Sequence, residues 1–216
     1  MRKLMFNDQC GLTQAVLEGR KTMTRREIIV PETWHGCKVC GTKSKGRVLM
    51  LLDSDGYVMR DDSGRLSGIL PKYKEGEEVA VAQSYKDALG FEGSEYWQRH
   101  SAGWDNKMFV KAELMPRRIK ITKAKVERLQ DISAEDAIRE GVQCVQVPGG
   151  WRFVAGGERV TKEDRERILS GELKLSDKCS FDNHQDAFAK LIDKVSGKGT
   201  WKRNPWVFVY SFELVK

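Results

Sequence analysis

Cys37 and Cys40 are separated only by Lys38 and Val39 and flanked by His35 and Gly41. Two thiolates at that spacing can grip one tetrahedral ion from a tight turn, so the segment reads as half of a zinc knuckle. The other half is absent at any standard spacing. Cys179 with His184, or His35 with Cys179, completes a site only if the fold brings them near, which leaves structural zinc and free thiols as the two readings. A second kind of chemistry is carried by cations. Residues 1–50 hold 10 basic and 4 acidic side chains, whereas the rest of the chain is nearly balanced. Lys107, Lys111, Arg117, Arg118, Lys120, Lys123 and Lys125 form a second cluster opposed only by Glu113. Paired basic patches suit a phosphate backbone, and solvated strand faces are the plainer alternative. Trp34, Tyr85, Trp97, Trp104 and Trp201 lie near basic residues, where an exposed ring can stack on a base. Trp206 and Phe208, by contrast, belong to a continuous apolar strand and are expected in the core.

Composition limits the scaffold that holds these groups. The chain has 216 residues, with 40% apolar and 32% charged, which fits a globular fold with one core and one or two elaborations. Apolar runs such as Val48–Leu52 fall far short of the roughly 20 residues that cross a bilayer, and Met1-Arg2-Lys3 leads into no signal-peptide core. Five cysteines, an odd number without a compact framework spacing, point to a reducing, cytoplasmic setting.

The pattern of apolar residues supplies the elements. Leu12, Ala15, Val16 and Leu17 predict a short helix stopped at Gly19, delivering Arg20 to Arg26 as a loop. Arg47 to Met59 reads as a hairpin turning at Asp55-Gly56, and Glu78 to Gln83 as a strand. Ser84 to Lys107 looks irregular. From Arg117 to Leu129 the alternation shifts phase after Ile121, as a β-bulge would leave it. Ser133 and Thr161 each open a helix with a capping signature, Gly141 closing the first. Asp182 to Val195 is the longest helical pattern, and Trp206 to Val215 is a closing strand entered through the turn at Asn204-Pro205. Strands interleaved with short capped helices, without a glycine-rich phosphate loop or a repeat, indicate an α+β barrel rather than a doubly wound sheet.

Three ordered segments resemble the ASCH domain family of the PUA-like superfamily, particularly its phage and prophage members. They are Leu4–Asn7 with Ala15–Arg26, Met115–Ile119 running on through Val126–Gly141, and Phe188–Leu191 with Gly197–Val209. The resemblance frames nearly the whole chain. It implies a single PUA-like β-barrel with short flanking helices over residues 1–216, elaborated at about 35–70 and 149–177. It departs from the family at Gln83, where many phage relatives carry a carboxylate.

For function, the resemblance implies either a binder of RNA, single-stranded nucleic acid or a modified nucleoside in a basic cleft, or an amidohydrolase that deacylates N4-acylated cytidine. In the second case Thr24 is the nucleophile and Lys21 its base; a hydroxyl needs an amine to take its proton, and a lysine crowded by Arg25 and Arg26 is easier to deprotonate. Gln83 offers hydrogen bonds but no titrating group, so binding ranks before hydrolysis. The binding residues expected are Arg20, Arg25, Arg26, Lys120, Tyr85, Trp201 and Asn204. Lys21, Thr24, Arg25 and Gln83 are expected to meet in one pocket, with Arg26 or Lys3 nearer its rim. Read without the resemblance, Lys21 and Thr24 sit in a solvated loop. Neither function requires a cofactor, no membrane partner is indicated, and a phage-encoded protein-interaction module is the remaining class.

Overall fold

The structure, a computed structural model, describes residues 1–90, 95–156, 160–175 and 180–215. Strand β1 (Arg2–Leu4) leads through helix α1 (Leu12–Leu17) to β2 (Met23–Glu27). A small hairpin of β3 (Thr33–Trp34) and β4 (Cys37–Lys38) precedes a longer one of β5 (Gly41–Lys45) and β6 (Val48–Leu52). Next come β7 (Glu78–Val81), α2 (Tyr85–Leu89), α3 (Tyr96–Arg99), β8 (Arg118–Arg128) and α4 (Ala134–Arg139). The chain continues through β9 (Gln143–Val147), β10 (Gly150–Val154), α5 (Lys162–Leu169) and β11 (Ser180–Phe181). It ends with α6 (His184–Ser196), α7 (Thr200–Arg203) and β12 (Trp206–Val215).

The main sheet is mixed, in the order β1-β7-β8-β12-β2, with β1 parallel to β7 and the other neighbours antiparallel. Strand β12 lies between β8 and β2, and its residues Val207 to Phe212 are all buried, so both faces of this strand are covered. That explains the unbroken run of β-branched and aromatic residues. The register between β12 and β8 slips at Ser211/Phe212, leaving Thr122 unpaired, and this is the bulge that the shifted alternation announces. The fold is therefore α+β. Among the described residues no ladder joins β1 to β2, so the sheet ends in two edges and no closed barrel is formed by hydrogen bonding. The edges nevertheless approach each other: the Arg26 guanidinium on β2 donates to the Met5 carbonyl just beyond β1.

Three segments depart from the expected elements, the first being Arg20 to Arg26, expected as a loop but carrying β2 from Met23 onward. The stretch from Ser84 to Lys107 holds α2 and α3 rather than irregular chain. Strand β6 pairs along its length with β5, whereas the expected return limb touches it only through a Leu52–Val58 bridge and a Met59 N–H to the Leu51 carbonyl. Gly41-Thr-Lys-Ser-Lys45 carries no apolar alternation, so nothing in its pattern marks it as a strand.

Helix α6 buries Ala187, Phe188, Leu191 and Ile192 against the main core, and its start is held by the Asp186 N–H donating to Asn183 Oδ1 at 2.8 Å. Helix α4 begins where the Asp136 N–H donates to Ser133 Oγ at 3.1 Å. It stops at Gly141, whose φ of +109° is closed to most side chains. The three-stranded sheet β11-β10-β9 and α5 form a satellite cluster around Val145, Val154 and Ile168.

Candidate functional site

The segment expected as a loop bordering the cleft runs from Met23 as strand β2, and it forms the inner wall of a chamber. After α1 the Lys21 N–H returns to the Ala15 carbonyl and the Thr22 N–H is held by the Arg139 carbonyl at the end of α4, both at 2.9 Å. Residues 23–27 then run as an edge strand against β12, Thr24 opposite Tyr210 and Arg25 opposite Val209. Lys21, Thr24 and Arg25 are all buried, at 2%, 5% and 5% exposure. Packed against β12 and α4, the strand turns these side chains into the chamber rather than into bulk water, which the local polarity of the motif does not reveal.

The chamber has a volume of about 240 Å³ and is lined by Lys21, Thr24, Arg25, Arg26 and Glu140 on its polar side. Leu12, Phe188, Leu191 and Ile192 supply an apolar wall, and Phe6 lies between Lys21 and Arg26 with each cation 5.9 Å from its ring. Glu140 is the group that sequence reading misses. Its Oε2 accepts from Lys21 Nζ at 2.6 Å and its Oε1 from Arg25 Nη1 at 3.1 Å. Lys21 Nζ also donates to the Glu140 main-chain carbonyl at 2.6 Å, so the lysine satisfies an otherwise free carbonyl at the end of α4. A sequence signal existed: an acid at a helix C-terminus opposes the helix dipole, and such a residue is tolerated best when a cation waits for it elsewhere.

Arg25 has a fully buried side chain and bonds three carboxylates, Glu127 at 2.6 Å, Glu140 at 3.1 Å and Asp136 at 3.2 Å. Its guanidinium also lies 5.7 Å from the Phe188 ring. Lys125 adds a further cation 2.6 Å from Glu127. The cluster thus sets Lys21, Arg25 and Lys125, with Arg139 at 3.6 Å from Asp136, against Glu127, Asp136 and Glu140. Burial pulls the Lys21 pKa below the ordinary lysine value; Glu140 opposes this, and the neighbouring Arg26 and Arg25 add to it. For Arg25, burial works against the charge, but Glu140 and Glu127 outweigh it and the pKa rises. Arg26 is lowered, again chiefly by burial, and its Nε is buried with no hydrogen-bond partner.

No protein-family model, curated protein or solved structure matches this chain. The site therefore rests on its own geometry.

That geometry gathers Lys21, Thr24, Arg25 and Arg26 and leaves the other candidate residues elsewhere. Gln83 is not among the residues lining the chamber; its N–H faces Met115 Sδ at 3.5 Å and its Oε1 is buried without a partner. Tyr85 is 2% exposed, edge-on to Trp97, and its hydroxyl accepts from the Lys111 N–H at 2.8 Å, so its ring presents no face for a base. Trp201 packs edge-on against Phe188, behind the chamber wall. Asn204, at φ 44° and ψ 56°, holds the entry to β12 by accepting from the Gln130 N–H at 2.9 Å. Arg20 pairs with Glu18 at 2.6 Å outside the chamber, and Lys120 is exposed on β8 opposite Glu78 and Glu213. Lys3 is turned away, donating to the Met108 and Val110 carbonyls at 2.7 Å.

Cys37 and Cys40 are exposed thiols on and just after β4. Among the described residues no group of three or more His, Cys, Asp and Glu side chains is gathered closely enough to hold a metal ion. His184 instead stands edge-on to Phe153, and His35 packs against Trp34. Cys179, invoked as a further ligand, lies outside the described residues. No helix among them is long and apolar enough to cross a membrane.

Proposed function

We propose that this chain binds a modified nucleoside in the Lys21 chamber, on a PUA-like scaffold of the ASCH kind. The observation that carries the reading is the convergence of Lys21, Thr24, Arg25, Arg26 and Glu140 on one concave, apolar-walled space. A few fixed polar groups against an apolar wall is the arrangement that orients a small heterocycle. The same observation favours a nucleoside over an RNA strand as the ligand of this chamber. Arg25 and Lys21 already face carboxylates, so their charge is not offered to a phosphate. Basic residues on β8, Lys120 and Lys123 among them, stay exposed and belong to a separate surface.

A second reading, hydrolysis of an N4-acylated cytidine, is favoured by one specific contact. Glu140 sets beside Lys21 the carboxylate that Gln83 lacks; the ion pair favours the charged lysine, while burial of Lys21 works against that charge. In that scheme neutral Lys21 takes the Thr24 hydroxyl proton as the oxygen attacks the acyl carbon. The amine leaves with a proton, and water releases the acyl group from Thr24.

One experiment separates the two readings. Purified protein is mixed with cytidine, N4-acetylcytidine and short RNA oligomers, and both retention and turnover are followed. Binding alone is expected to show nucleoside retention with little salt dependence and no deacylation, whereas hydrolysis is expected to vanish in Thr24→Val with retention preserved. Retention of oligomers alone, falling steeply with salt, would refute the nucleoside assignment.

A further inference from the structure

A second cavity of about 430 Å³ lies in the gap between the sheet edges and shares Met5, Arg26 and Glu27 with the Lys21 chamber. Its floor is β12, through Phe208 and Tyr210, and Tyr73 meets Tyr210 edge-on at 5.3 Å. The hydroxyls of both tyrosines are engaged at the back, Tyr73 donating to the Lys3 carbonyl and Tyr210 accepting from the Lys72 N–H. The rings therefore present mainly their apolar bodies to the cavity. Two large aliphatic side chains stand in water at its mouth, Ile29 at 88% and Leu70 at 63% exposure.

Size makes the two cavities one question. A chamber of about 240 Å³ is smaller than the roughly 300–1,000 Å³ of ordinary ligand sites, whereas the two spaces together lie well inside that range. The polar groups are concentrated in the inner space and the aromatic surface in the outer one. We propose that the outer cavity holds the planar ring of the nucleoside, so that its exocyclic polar group reaches past Arg26 into the Lys21 chamber. This extends the reading of the inner chamber and adds to it the selectivity for a ring. Ile29 and Leu70 then close over the ring edge and lose their exposure on binding. Arg26 lines both spaces and stands where they meet, its guanidinium bonded to the Met5 carbonyl and its Nε buried without a partner.

Methyl groups report each cavity separately, because Ile28, Ile29 and Ile69 line the outer one and Ile192 the inner one. Protein carrying 13C-labelled isoleucine methyls is titrated with N4-acetylcytidine and, separately, with acetamide, which has the amide but no ring. The nucleoside is expected to shift Ile29, Ile69 and Ile192 along one saturation curve, and acetamide to shift Ile192 alone. Response of Ile192 without Ile29 or Ile69 would overturn the ring assignment and leave the inner-chamber reading standing. Response of Ile29 and Ile69 without Ile192 would do the reverse, and no response would remove both. The double variant Ile29→Ala with Leu70→Ala trims two exposed side chains and is expected to weaken nucleoside binding about tenfold. An unchanged affinity in that variant, with an unchanged unfolding temperature, would also overturn the assignment.

Discussion

Replacing Glu140 by Gln tests the electrostatic logic of the site, because the change keeps the shape and removes one buried charge. In the native arrangement Glu140 is shared between Lys21 at 2.6 Å and Arg25 at 3.1 Å. Arg25 keeps Glu127 and Asp136 after the substitution, whereas Lys21, itself 2% exposed, is left with neutral acceptors only, the main-chain carbonyl and the new amide oxygen of residue 140. Stranding one partner of a buried pair costs about 3–5 kcal/mol, a large part of the roughly 5–15 kcal/mol that holds a domain together. For a chain of this size that is a fall of roughly 6–20 °C in unfolding temperature. The cost must depend on pH. Lys21 titrates below its unfolded value in the folded protein, so the unfolded chain binds more protons between the two values and stability rises with pH across that window. Without Glu140 the folded value drops further and the window opens toward neutrality. Urea unfolding followed by far-ultraviolet circular dichroism, at about pH 6 and about pH 10, should therefore show the loss shrinking at the higher pH. Adding Lys21→Met to Glu140→Gln should recover more than about half of the neutral-pH loss, because the stranded charge is gone. A loss below about 1 kcal/mol at neutral pH, or one that is the same at both pH values, would refute the claim that Glu140 neutralises Lys21.

Gly141→Ala should cost about 1–3 kcal/mol in the same unfolding assay, since φ is +109° and the added Cβ would lie 3.0 Å from Leu12 Cδ2 beside Lys21; Gly19→Ala, at φ +72° with open space around it, should cost about 1 kcal/mol. Cys37→Ser and Cys40→Ser should each change stability by less than about 0.5 kcal/mol, with elemental analysis showing zinc well below one equivalent.

How much of this was legible depended on whether the information was local. Helix caps are local: Ser133, Thr161 and the end of α1 before Gly19 stand where their spacing put them. So is strand phase, which placed the bulge of β8 and the buried run of β12. Polar strands are not, because β5 is ordered by its partner β6 rather than by its own pattern. The outlying members of the expected site departed in the same way. Tyr85 looked available because its neighbours are polar, yet Trp97 and Gly103 enclose it from distant parts of the chain. Glu140 was invisible as a site residue because it is 119 positions from Lys21, and only the docking of α4 on β2 joins them.

The distribution of charge decides what kind of ligand the cluster can take. A cation positioned to hold phosphate has to remain unpaired and wet until the phosphate arrives, since counterion release from the polymer drives that binding. Arg25 is dry and tied to three carboxylates, and Lys21 is dry and tied to one. Pairing of this kind holds geometry rather than attracting charge from a distance, because the field of each cation is cancelled within a few ångströms of its source. Such a cluster is suited to a neutral ligand that exchanges short hydrogen bonds with groups already fixed in place, and a nucleobase with an exocyclic amide is of that kind. Arg26 alone among the three arginines and lysines of the motif wall keeps a buried donor without a partner. A turn of the guanidinium that brought this N–H to the cavity surface would let a ligand carbonyl satisfy it, and the binding energy so gained is available only to ligands that bring an acceptor to the junction of the two cavities.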